Sequence, residues 1–382
     1  MKTHSFVILG GGIAGLTTAI ALKKIGINAV VVEAASEIKP VGAGLALAAN
    51  AMMALRKIGV ADQVIREGQE LKAFSIYDQK GKLISRTDTD PANSRYGISN
   101  FTIHRADLHR VLLAQLDPEN VLTGKRSVDF SEDSEGYVIR FEDGDQIRAN
   151  SLIVAEGIHS PIRRKLLPTQ KIRYSGYTCW RGIMDNSNLN IVETSETWGK
   201  KGRFGVTPLA KNQVYWYACI NAAEQNSRLK NFTKADLEEN FKDFHFPIPQ
   251  VLSGTKPEQI IWNDIIDLEP LSRFAFGNLV LIGDAAHATT PNMGQGACMA
   301  IEDAAILASC LEKHSNPAEA FQEFEKRRLG RTRKIVTDSW QLGKIAQWEN
   351  PVLMSLRDAF FRMIPQHVTQ KQIESLYQVD LS

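Results

Sequence analysis

The chain has 382 residues, of which 43% are hydrophobic and 23% charged, so it can bury a large core and is expected to form two domains. Its formal charge is only +2 and it has no basic tract, which argues against nucleic acid as a partner. Its four cysteines lack metal-binding or disulfide spacing, and no run of eighteen apolar residues predicts a membrane span. We therefore expect a cytoplasmic protein with no signal peptide and no bound metal.

The first predicted elements form a βαβ unit. Residues 5–9 are rich in Val and Ile and predict a strand, residues 16–25 have helical periodicity, and residues 29–33 predict the next strand. Between the first strand and the helix lies the sequence Gly10-Gly11-Gly12-Ile13-Ala14-Gly15. In this context a GxGxxG pattern predicts a tight turn that brings the backbone and a helix N-terminus close to a pyrophosphate. The unit therefore predicts dinucleotide binding.

The acid at the end of the second predicted strand narrows the choice of dinucleotide. Glu33 lies eighteen residues past Gly15, where a carboxylate can accept hydrogen bonds from a ribose diol. An acid at this position disfavours a 2′-phosphate. The site is therefore expected to hold the adenosine of FAD or NAD rather than that of NADP.

The middle of the chain favours strands. Residues 74–86 and 128–150 contain short alternating runs separated by Gly81, Gly136 and Gly144, which predicts antiparallel hairpins. Residues 172–270 also favour strands, interrupted by a predicted helix at 234–244. This composition indicates a separate sheet domain.

A second cofactor segment follows a predicted buried strand at residues 279–282. The strand ends in Gly283-Asp284, and ligands bind at the carboxyl ends of parallel strands, so Asp284 is expected beside the cofactor, where it can bind a ribityl chain. After Pro291, the run Gly294-Gln295-Gly296 precedes a helix with one apolar face. The N-terminus of that helix is expected to point at a flavin ring and to stabilise its anionic reduced form. This second segment favours FAD over NAD.

Three motifs in this order resemble a known family. They are Gly10-x-Gly12-x-x-Gly15, Ala155-Glu156-Gly157-Ile158-His159-Ser160-x-x-Arg163, and Gly283-Asp284-Ala285-Ala286-His287-x-x-x-Pro291-x-x-Gly294-Gln295-Gly296. Together they resemble the single-component FAD-dependent aromatic hydroxylases, the group of para-hydroxybenzoate hydroxylase and salicylate hydroxylase, over nearly the whole chain. The resemblance implies an α/β fold with a Rossmann-like FAD-binding domain of the GR2 type, an inserted antiparallel β-sheet substrate domain, and C-terminal helices.

The resemblance also implies domain limits and cofactor contacts. Residues 1–73, 99–171 and 272–382 would form the FAD-binding domain with its C-terminal helices, and residues 74–98 and 172–271 the substrate-binding sheet domain. Glu33 would bind the adenosine ribose, Arg105 the FAD backbone and Asp284 the ribityl chain, while residues 42–44 and 294–296 would flank the isoalloxazine. The full predicted cofactor set is Gly10, Gly12, Ile13, Ala14, Gly15, Glu33, Ala43, Gly44, Arg105, Gly283, Asp284, Pro291, Gly294, Gln295 and Gly296.

The chemistry implied by the resemblance is a monooxygenase reaction on a small aromatic or heteroaromatic substrate. NADH or NADPH would reduce non-covalently bound FAD, and O₂ would form a flavin C4a-hydroperoxide that the substrate ring attacks. No second GxGxxG occurs, so NAD(P)H is expected to bind only transiently. Glu156 stands where the family usually has Asp, which leaves the details of nucleotide use open. The chain could be a monomer or a homodimer.

Substrate residues are sought on the predicted sheet. Strand alternation places Tyr215 and Tyr217 on one face and Trp216 on the other, and places Arg203 with residues 205 and 207. Arg203 and Tyr215 are placed as in urate-hydroxylating relatives, where an Arg and a Tyr serve the substrate. Both could instead be ordinary sheet residues. Trp180 and Arg181 are further candidates.

Other readings remain open at this point. The same scaffold could carry a flavin-dependent epoxidase or a reductase for a larger apolar substrate, and a non-catalytic dinucleotide sensor is the alternative outside the enzymes. His287 is interpreted as structural, because no nucleophile pattern or metal partner accompanies it. The basic residues in the range 326–334 are interpreted as a solvated helix face, or else as partners of a cofactor phosphate or another protein.

Overall fold

A computed structural model of the protein describes residues 2–37, 43–88 and 94–382. Its strands are Thr3–Leu9, Ala29–Val32, Gly44–Leu47, Gln69–Leu71, Ala73–Asp78, Leu83–Asp88, Asn100–His104, Val121–Leu122, Ser127–Asp133, Gly136–Phe141, Gln146–Val154, Ile172–Asp185, Thr194–Gly199, Gly202–Leu209, Gln213–Asn221, Ile261–Leu268, Ala275–Phe276 and Leu279–Leu281. Its helices are Ile13–Lys24, Ala49–Ile58, Ala61–Glu67, Arg105–Leu113, Pro161–Leu166, Ser227–Lys230, Lys234–Phe241, Ile248–Gly254, Asp284–His287, Gly296–Lys313, Pro317–Ala346, Pro351–Met363 and Gln366–Tyr377.

The first sheet has a parallel centre built from distant parts of the chain. Thr3–Leu9 lies between Ala29–Val32 and Gln146–Val154, and the next strand outward is Leu279–Leu281, all in parallel. Ala29–Val32 and Leu279–Leu281 are fully buried, and Thr3–Leu9 is buried from Phe6 onward, as expected for a parallel sheet covered on both faces. The predicted βαβ unit is confirmed. The two cofactor motifs therefore follow strands whose carboxyl ends lie at the same edge.

Antiparallel strands extend this sheet and form a small second one beside it. Ser127–Asp133 and Gly136–Phe141 pair with each other, and Gly136–Phe141 pairs in turn with Gln146–Val154, which confirms the hairpins predicted at residues 128–150. Gly44–Leu47 pairs with Asn100–His104 in a three-stranded sheet. That pairing fixes where residues 43 and 44 lie. Residue 42, predicted with them, lies outside the described residues.

A seven-stranded sheet is made by segments near residues 73–88 and 172–268. Its strands pair antiparallel except for Thr194–Gly199 and Ala73–Asp78, which run parallel. The prediction of a purely antiparallel sheet is therefore wrong for this pair. The two strands belong to segments that are far apart in sequence, and no short hairpin forces them to be antiparallel.

The two faces of the seven-stranded sheet meet different partners. One face carries Trp180, Phe204 and Trp216, which form a core with the helices Lys234–Phe241 and Ile248–Gly254. We call the other face, which carries Tyr177, Arg203, Tyr215 and Tyr217, the inner face. Cross-strand pairing puts Tyr215 opposite Thr207 and Tyr217 opposite Gly205, so the predicted grouping of these residues is confirmed. Trp180 lies on the helix-covered face, opposite to the other predicted substrate residues Arg181, Arg203 and Tyr215.

Long helices close the fold at the C-terminus. Gly296–Lys313 packs against Ile13–Lys24 and is buried along nearly its whole length, and Pro317–Ala346 packs beside it. Within the described ranges, no helix combines the length and the apolar character that crossing a membrane requires. The same residues contain no cluster of His, Cys, Asp and Glu side chains suited to a metal ion.

Candidate active site

Two glycines of the first turn are required by close backbone contacts, whereas a third borders open space. Gly10 has a φ of +105°, and a Cβ at this position would overlap the carbonyl oxygen of Ala155. A Cβ at Gly15 would overlap the carbonyl oxygen of Gly10. A Cβ at Gly12, in contrast, would have no neighbour within 4 Å. Gly12 therefore borders open space at the start of the Ile13–Lys24 helix, where no side chain caps the free N–H groups.

Glu33 lies directly beside this turn. Its carboxylate accepts hydrogen bonds from the backbone N–H of Gly11 at 2.7 Å and of Ala35 at 2.8 Å. A carboxylate has about four acceptor sites, so lone pairs remain for a ribose hydroxyl. The position fits the predicted adenosine contact.

A second group of predicted residues meets at the three-stranded sheet. Gly44 pairs with His104, and the N–H of Arg105 donates to the carbonyl oxygen of Ala43 at 3.1 Å. The Arg105 side chain is exposed, and its charge acts on the Asp284 carboxylate. The structure therefore brings Ala43, Gly44, Arg105 and Asp284 together.

The two glycine motifs touch each other through Gly283. This residue has a φ of +55°, and a Cβ on it would come within 2.6 Å of the Ala14 Cβ. Only a glycine allows the strand end to lie so close to the Ile13–Lys24 helix. Ile13 and Ala14 thus belong to the contact between the first and second motifs.

Asp284 follows the carboxyl end of the parallel strand Leu279–Leu281, the place where sheets of this kind form a ligand crevice. Its side chain is open to the crevice, yet protein encloses it, and this burial raises its pKa while His287 and Arg105 oppose the rise. No group in the described ranges donates a hydrogen bond to its carboxylate. With no protein donor, this carboxylate is available to a ligand that donates hydrogen bonds, and ribityl hydroxyls can supply them.

The segment after Pro291 forms the start of the buried helix. A single 3₁₀ turn, Pro291–Met293, is followed by Gly294 in the left-handed conformation, and the Gly296–Lys313 helix begins without a side-chain cap. The Gln295 side chain turns inward and accepts a hydrogen bond from Asn50 at 2.9 Å. Any contact of Gln295 with a flavin would therefore come from its backbone. The uncapped helix end lies next to the Gly44–Leu47 strand, since a Cβ at Gly294 would be 3.8 Å from that of Ala46.

A buried ionic network behind Gly283 was not anticipated. The Asp303 carboxylate accepts from the Gly283 N–H at 2.8 Å, from Arg328 Nε at 2.7 Å, and pairs with His287 Nε2 at 2.6 Å. Glu302 binds both Arg328 and Arg331. Burial opposes ionisation of Asp303, but His287 and Arg328 outweigh it and lower its pKa.

Among the basic residues in the range 326–334, Lys326, Arg333 and Lys334 are exposed as predicted, whereas this network corrects the prediction for Arg328. Arg328 is 0% exposed and bridges two carboxylates, so it does not belong to a solvated face. The signal in the sequence is the pair Glu302-Asp303 inside an otherwise apolar helix, which requires buried cations as partners. The interpretation of His287 as structural agrees with its bond to Asp303.

Glu156 of the middle motif is half-buried. It accepts hydrogen bonds from Ser127 and, at 2.6 Å, from Ser160, and burial raises its pKa despite these bonds. Its carboxylate is thus engaged by protein groups behind the glycine turn. Any role of this motif in pyridine nucleotide binding stays a prediction.

On the inner face of the seven-stranded sheet, Arg203 is fully engaged by protein. It is 3% exposed, and it donates to Gln347 at 2.7 Å, to Glu196 at 3.1 Å and to Asn292 at 2.9 Å. Glu196 also accepts from the Tyr217 hydroxyl. Arg203 thus joins the sheet to the Pro291–Met293 turn and to the end of the Pro317–Ala346 helix.

Tyr215 lies where the inner face meets the predicted flavin loop. A Cβ at Gly44 would come within 2.7 Å of the Tyr215 ring, so Gly44 is required for the sheet to approach this closely. Burial raises the pKa of Tyr215, and the nearby Arg181 acts against this rise. The predicted substrate residue and the predicted cofactor residue are therefore direct neighbours.

The residues fit FAD. Open space at Gly12, two uncapped helix N-termini and the free Asp284 carboxylate all belong to the two motifs, which follow parallel strands of one sheet. Glu33 would hold the adenosine end, Asp284 the ribityl chain, and the backbone of residues 294–296 the ring.

Comparisons with known proteins agree with this site. The family described as "FAD binding domain" matches residues 3–339. The chain is 37% identical to aurachin C monooxygenase/isomerase of Stigmatella aurantiaca over 366 residues, 95% of each protein, and 34% identical to 2-heptyl-3-hydroxy-4(1H)-quinolone synthase of Pseudomonas aeruginosa over 94% of each. The crystal structure of Klebsiella pneumoniae HpxO complexed with FAD and uric acid matches with a TM-score of 0.88 at 28% identity, covering 98% of this chain and 96% of that one. The chain is an FAD-dependent monooxygenase that belongs to the aromatic hydroxylase family.

Proposed function

We propose that this monooxygenase hydroxylates a nitrogen heteroaromatic ring that carries an oxygen substituent, such as a 4(1H)-quinolone. One relative above is named for a 3-hydroxy-4(1H)-quinolone, and the chain matches it over nearly its full length. The observation that carries the proposal is the contact between Tyr215 and Gly44, because it sets a polar aromatic surface against the loop expected to flank the flavin. A planar ring bound beside this contact would lie between the inner face and the flavin.

In this proposal the two parts of the molecule have different tasks. Residues 1–73, 99–171 and 272–382 hold FAD, and residues 74–98 and 172–271 form the sheet that covers the substrate. The overall reaction converts a ring C–H, O₂, NAD(P)H and a proton into a ring C–OH, water and NAD(P)⁺. FAD, when bound, supplies the electron transfer from NAD(P)H to oxygen.

The protein's own groups position the cofactor and the substrate, stabilise negative charge at the flavin ring and keep water out of the site. Asp284 anchors the sugar-like part of the cofactor, and the free N–H groups at the start of the Gly296–Lys313 helix stabilise negative charge at the ring edge. Arg203 donates a hydrogen bond to Asn292 and so links the seven-stranded sheet to the Pro291–Met293 turn. This link holds the inner face in a fixed position relative to the loop expected to flank the flavin. Exclusion of water by these contacts favours hydroxylation over release of hydrogen peroxide.

The test is a turnover screen on the purified FAD-loaded protein. Aromatic compounds, including 4-hydroxyquinoline with and without a 2-heptyl chain, are added with NADH or NADPH, and nucleotide oxidation is followed together with product mass. We expect one of the oxygen-bearing heteroaromatics to stimulate oxidation and to gain one oxygen atom. Stimulation only by apolar alkenes, or no oxygen gain with any ring, would exclude the proposal. The screen also decides between NADH and NADPH.

A further inference from the structure

The inner face carries two arginines with different surroundings. Each nitrogen of the Arg203 guanidinium already donates to a protein oxygen, and the Glu196 carboxylate balances its charge. A substrate anion could bind Arg203 only by displacing one of these partners. Replacing a buried, well-formed ion pair with a ligand contact brings little net gain.

Arg181 lies on the same face without such partners. It is directly opposite Tyr217 on the neighbouring strand, which places its side chain on the inner face. It is half-buried, and within the described ranges it forms no ion pair with a carboxylate. The group that bonds to it is Cys179. Its neutral thiol is a weak partner compared with a carboxylate, and the attraction of its ionised form raises the Arg181 pKa against the effect of burial.

Arg181 lies near Tyr215, which contacts the loop expected to flank the flavin. Its charge acts on Tyr215, whose ring packs against Gly44. A half-buried cation in this enclosed place attracts an anion more strongly than a surface arginine does, because solvent screens it less. A guanidinium also matches the geometry of a carboxylate or of a ring oxygen.

We propose that Arg181 is the anion-binding residue of the substrate site, where it binds a negatively charged oxygen attached to the aromatic ring. The oxygen can be a ring oxyanion or a ring carboxylate, since both present the same charge to the guanidinium. The inference rests on the proposed function. In this proposal Arg203 holds the sheet in place, and Arg181 makes ionised substrates bind more tightly than neutral ones.

The test measures ligand binding to the FAD-loaded protein through the change in flavin absorbance, so it does not depend on turnover. Three probes separate the sources of charge: 4-hydroxyquinoline-2-carboxylate carries a carboxylate, 4-hydroxyquinoline only the ring oxygen, and 4-methoxyquinoline has that oxygen blocked. Arg181→Gln is compared with Arg181→Lys and with Arg228→Gln, an exposed arginine on the helix-covered side.

We expect Arg181→Gln to weaken the carboxylate probe about 10-fold or more, as the loss of a partly buried charge pair implies, and to leave the methoxy probe within about twofold. Arg181→Lys should restore part of the affinity, and Arg228→Gln should change none of the three. Equal weakening of all three probes by Arg181→Gln, or no weakening, would overturn the inference while leaving the proposed function intact. If none of the probes perturbs the flavin of the unaltered protein, the quinolone assignment fails, and the inference fails with it.

Discussion

Asp284 follows Gly283 in the chain, and Asp303 accepts a hydrogen bond from the Gly283 N–H. Their surroundings suit Asp284 to ligand binding and Asp303 to a structural role. Asp303 is enclosed with three hydrogen-bonding partners, and its neighbours lower its pKa. Asp284 has no such partner in the described part of the chain, and burial raises its pKa. The Asp303 carboxylate stabilises the loop, and that of Asp284 is left available for the cofactor.

Replacement of Asp284 by Ala is expected to weaken FAD binding without unfolding the protein. The ribityl hydroxyls would lose an acceptor worth about 1.5–3 kcal/mol, so the dissociation constant of FAD should rise by roughly one to two orders of magnitude. Flavin fluorescence on reconstituting the apoprotein measures this constant. Glu258→Ala, an exposed acid in a distant turn, serves as the control. Unchanged FAD affinity in the Asp284 variant would remove the ribityl assignment.

Cys179 makes anion binding at Arg181 depend on pH. Burial opposes ionisation of this thiol, but a hydrogen bond from Cys219 and the charges of Arg181 and Arg203 lower its pKa to about 6. Above this pH the thiolate competes with a ligand for Arg181. Affinity for 4-hydroxyquinoline-2-carboxylate should therefore be highest below pH 6 and fall by up to about tenfold per pH unit above it, the limit for one linked proton.

Cys179→Ser is the matched variant for this effect, because a serine does not ionise in the same range. Titration of the carboxylate probe between pH 5 and 8, read by flavin absorbance, should give a flat profile for the serine variant. A serine variant with the same slope as the unaltered protein would show that another group controls the pH dependence.

At the scale of single elements, the glycine turn offers a pair of substitutions with opposite expectations. Gly12→Ala adds a methyl group in open space, so the free energy of unfolding of the apoprotein should change by less than about 1 kcal/mol while FAD binding weakens. Gly15→Ala forces a methyl group onto the Gly10 carbonyl and should cost about 1–3 kcal/mol of stability.

Urea unfolding of both apoproteins, together with FAD titration, separates the two effects. The assignment of Gly12 to the pyrophosphate would be wrong if Gly12→Ala bound FAD as tightly as the unaltered chain.

The network around Arg328 joins two helices to the cofactor strand. Arg328→Met leaves Glu302 and Asp303 without a fully buried cation, and removal of one member of a buried ion pair typically costs about 3–5 kcal/mol. We expect a loss of this size in urea unfolding, accompanied by weaker FAD binding because Asp303 holds the Gly283 N–H. Lys334→Met, on an exposed pair of the same helix, should cost less than about 1 kcal/mol.

At the scale of the whole molecule, the Pro317–Ala346 helix spans the two functional parts. In its N-terminal half Arg328 supports the Gly283 turn through Asp303, and just past its C-terminal end Gln347 binds Arg203 and Asn221 of the seven-stranded sheet. Gln347→Leu is expected to loosen the sheet over the flavin while FAD stays bound. The share of NAD(P)H oxidation that ends in hydrogen peroxide should then rise, as measured by comparing peroxide with hydroxylated product. An unchanged ratio would mean that Gln347 plays no part in closing the site.

The sequence allowed the cofactor half to be predicted better than the substrate half, for a physical reason. Gly10 and Gly283 have positive φ angles, a demand of the local backbone that favours glycine and so leaves a pattern in the sequence. Strand alternation likewise predicted the shared face of Tyr215 and Tyr217.

The surroundings of an arginine do not leave such a pattern. Arg203 and Arg181 look alike in the sequence, and only the fold brings Glu196, Asn292 and Gln347 to one of them. The burial of Arg328 was missed for the same reason, because its partners Glu302 and Asp303 lie on another helix. The assignment of the cofactor and substrate residues themselves stays a prediction until the variants are measured.

The contact between Gly283 and Ala14 has a consequence for biosynthesis. The first glycine turn leaves the ribosome early, but the residues that complete its crevice follow some 270 positions later. At about 5–20 residues per second, the N-terminal turn waits on the order of tens of seconds for its counterpart. For about the first half of that interval the strand Thr3–Leu9 also lacks its later neighbour Gln146–Val154. The flavin can therefore bind only late in translation, when almost the whole chain has been synthesised.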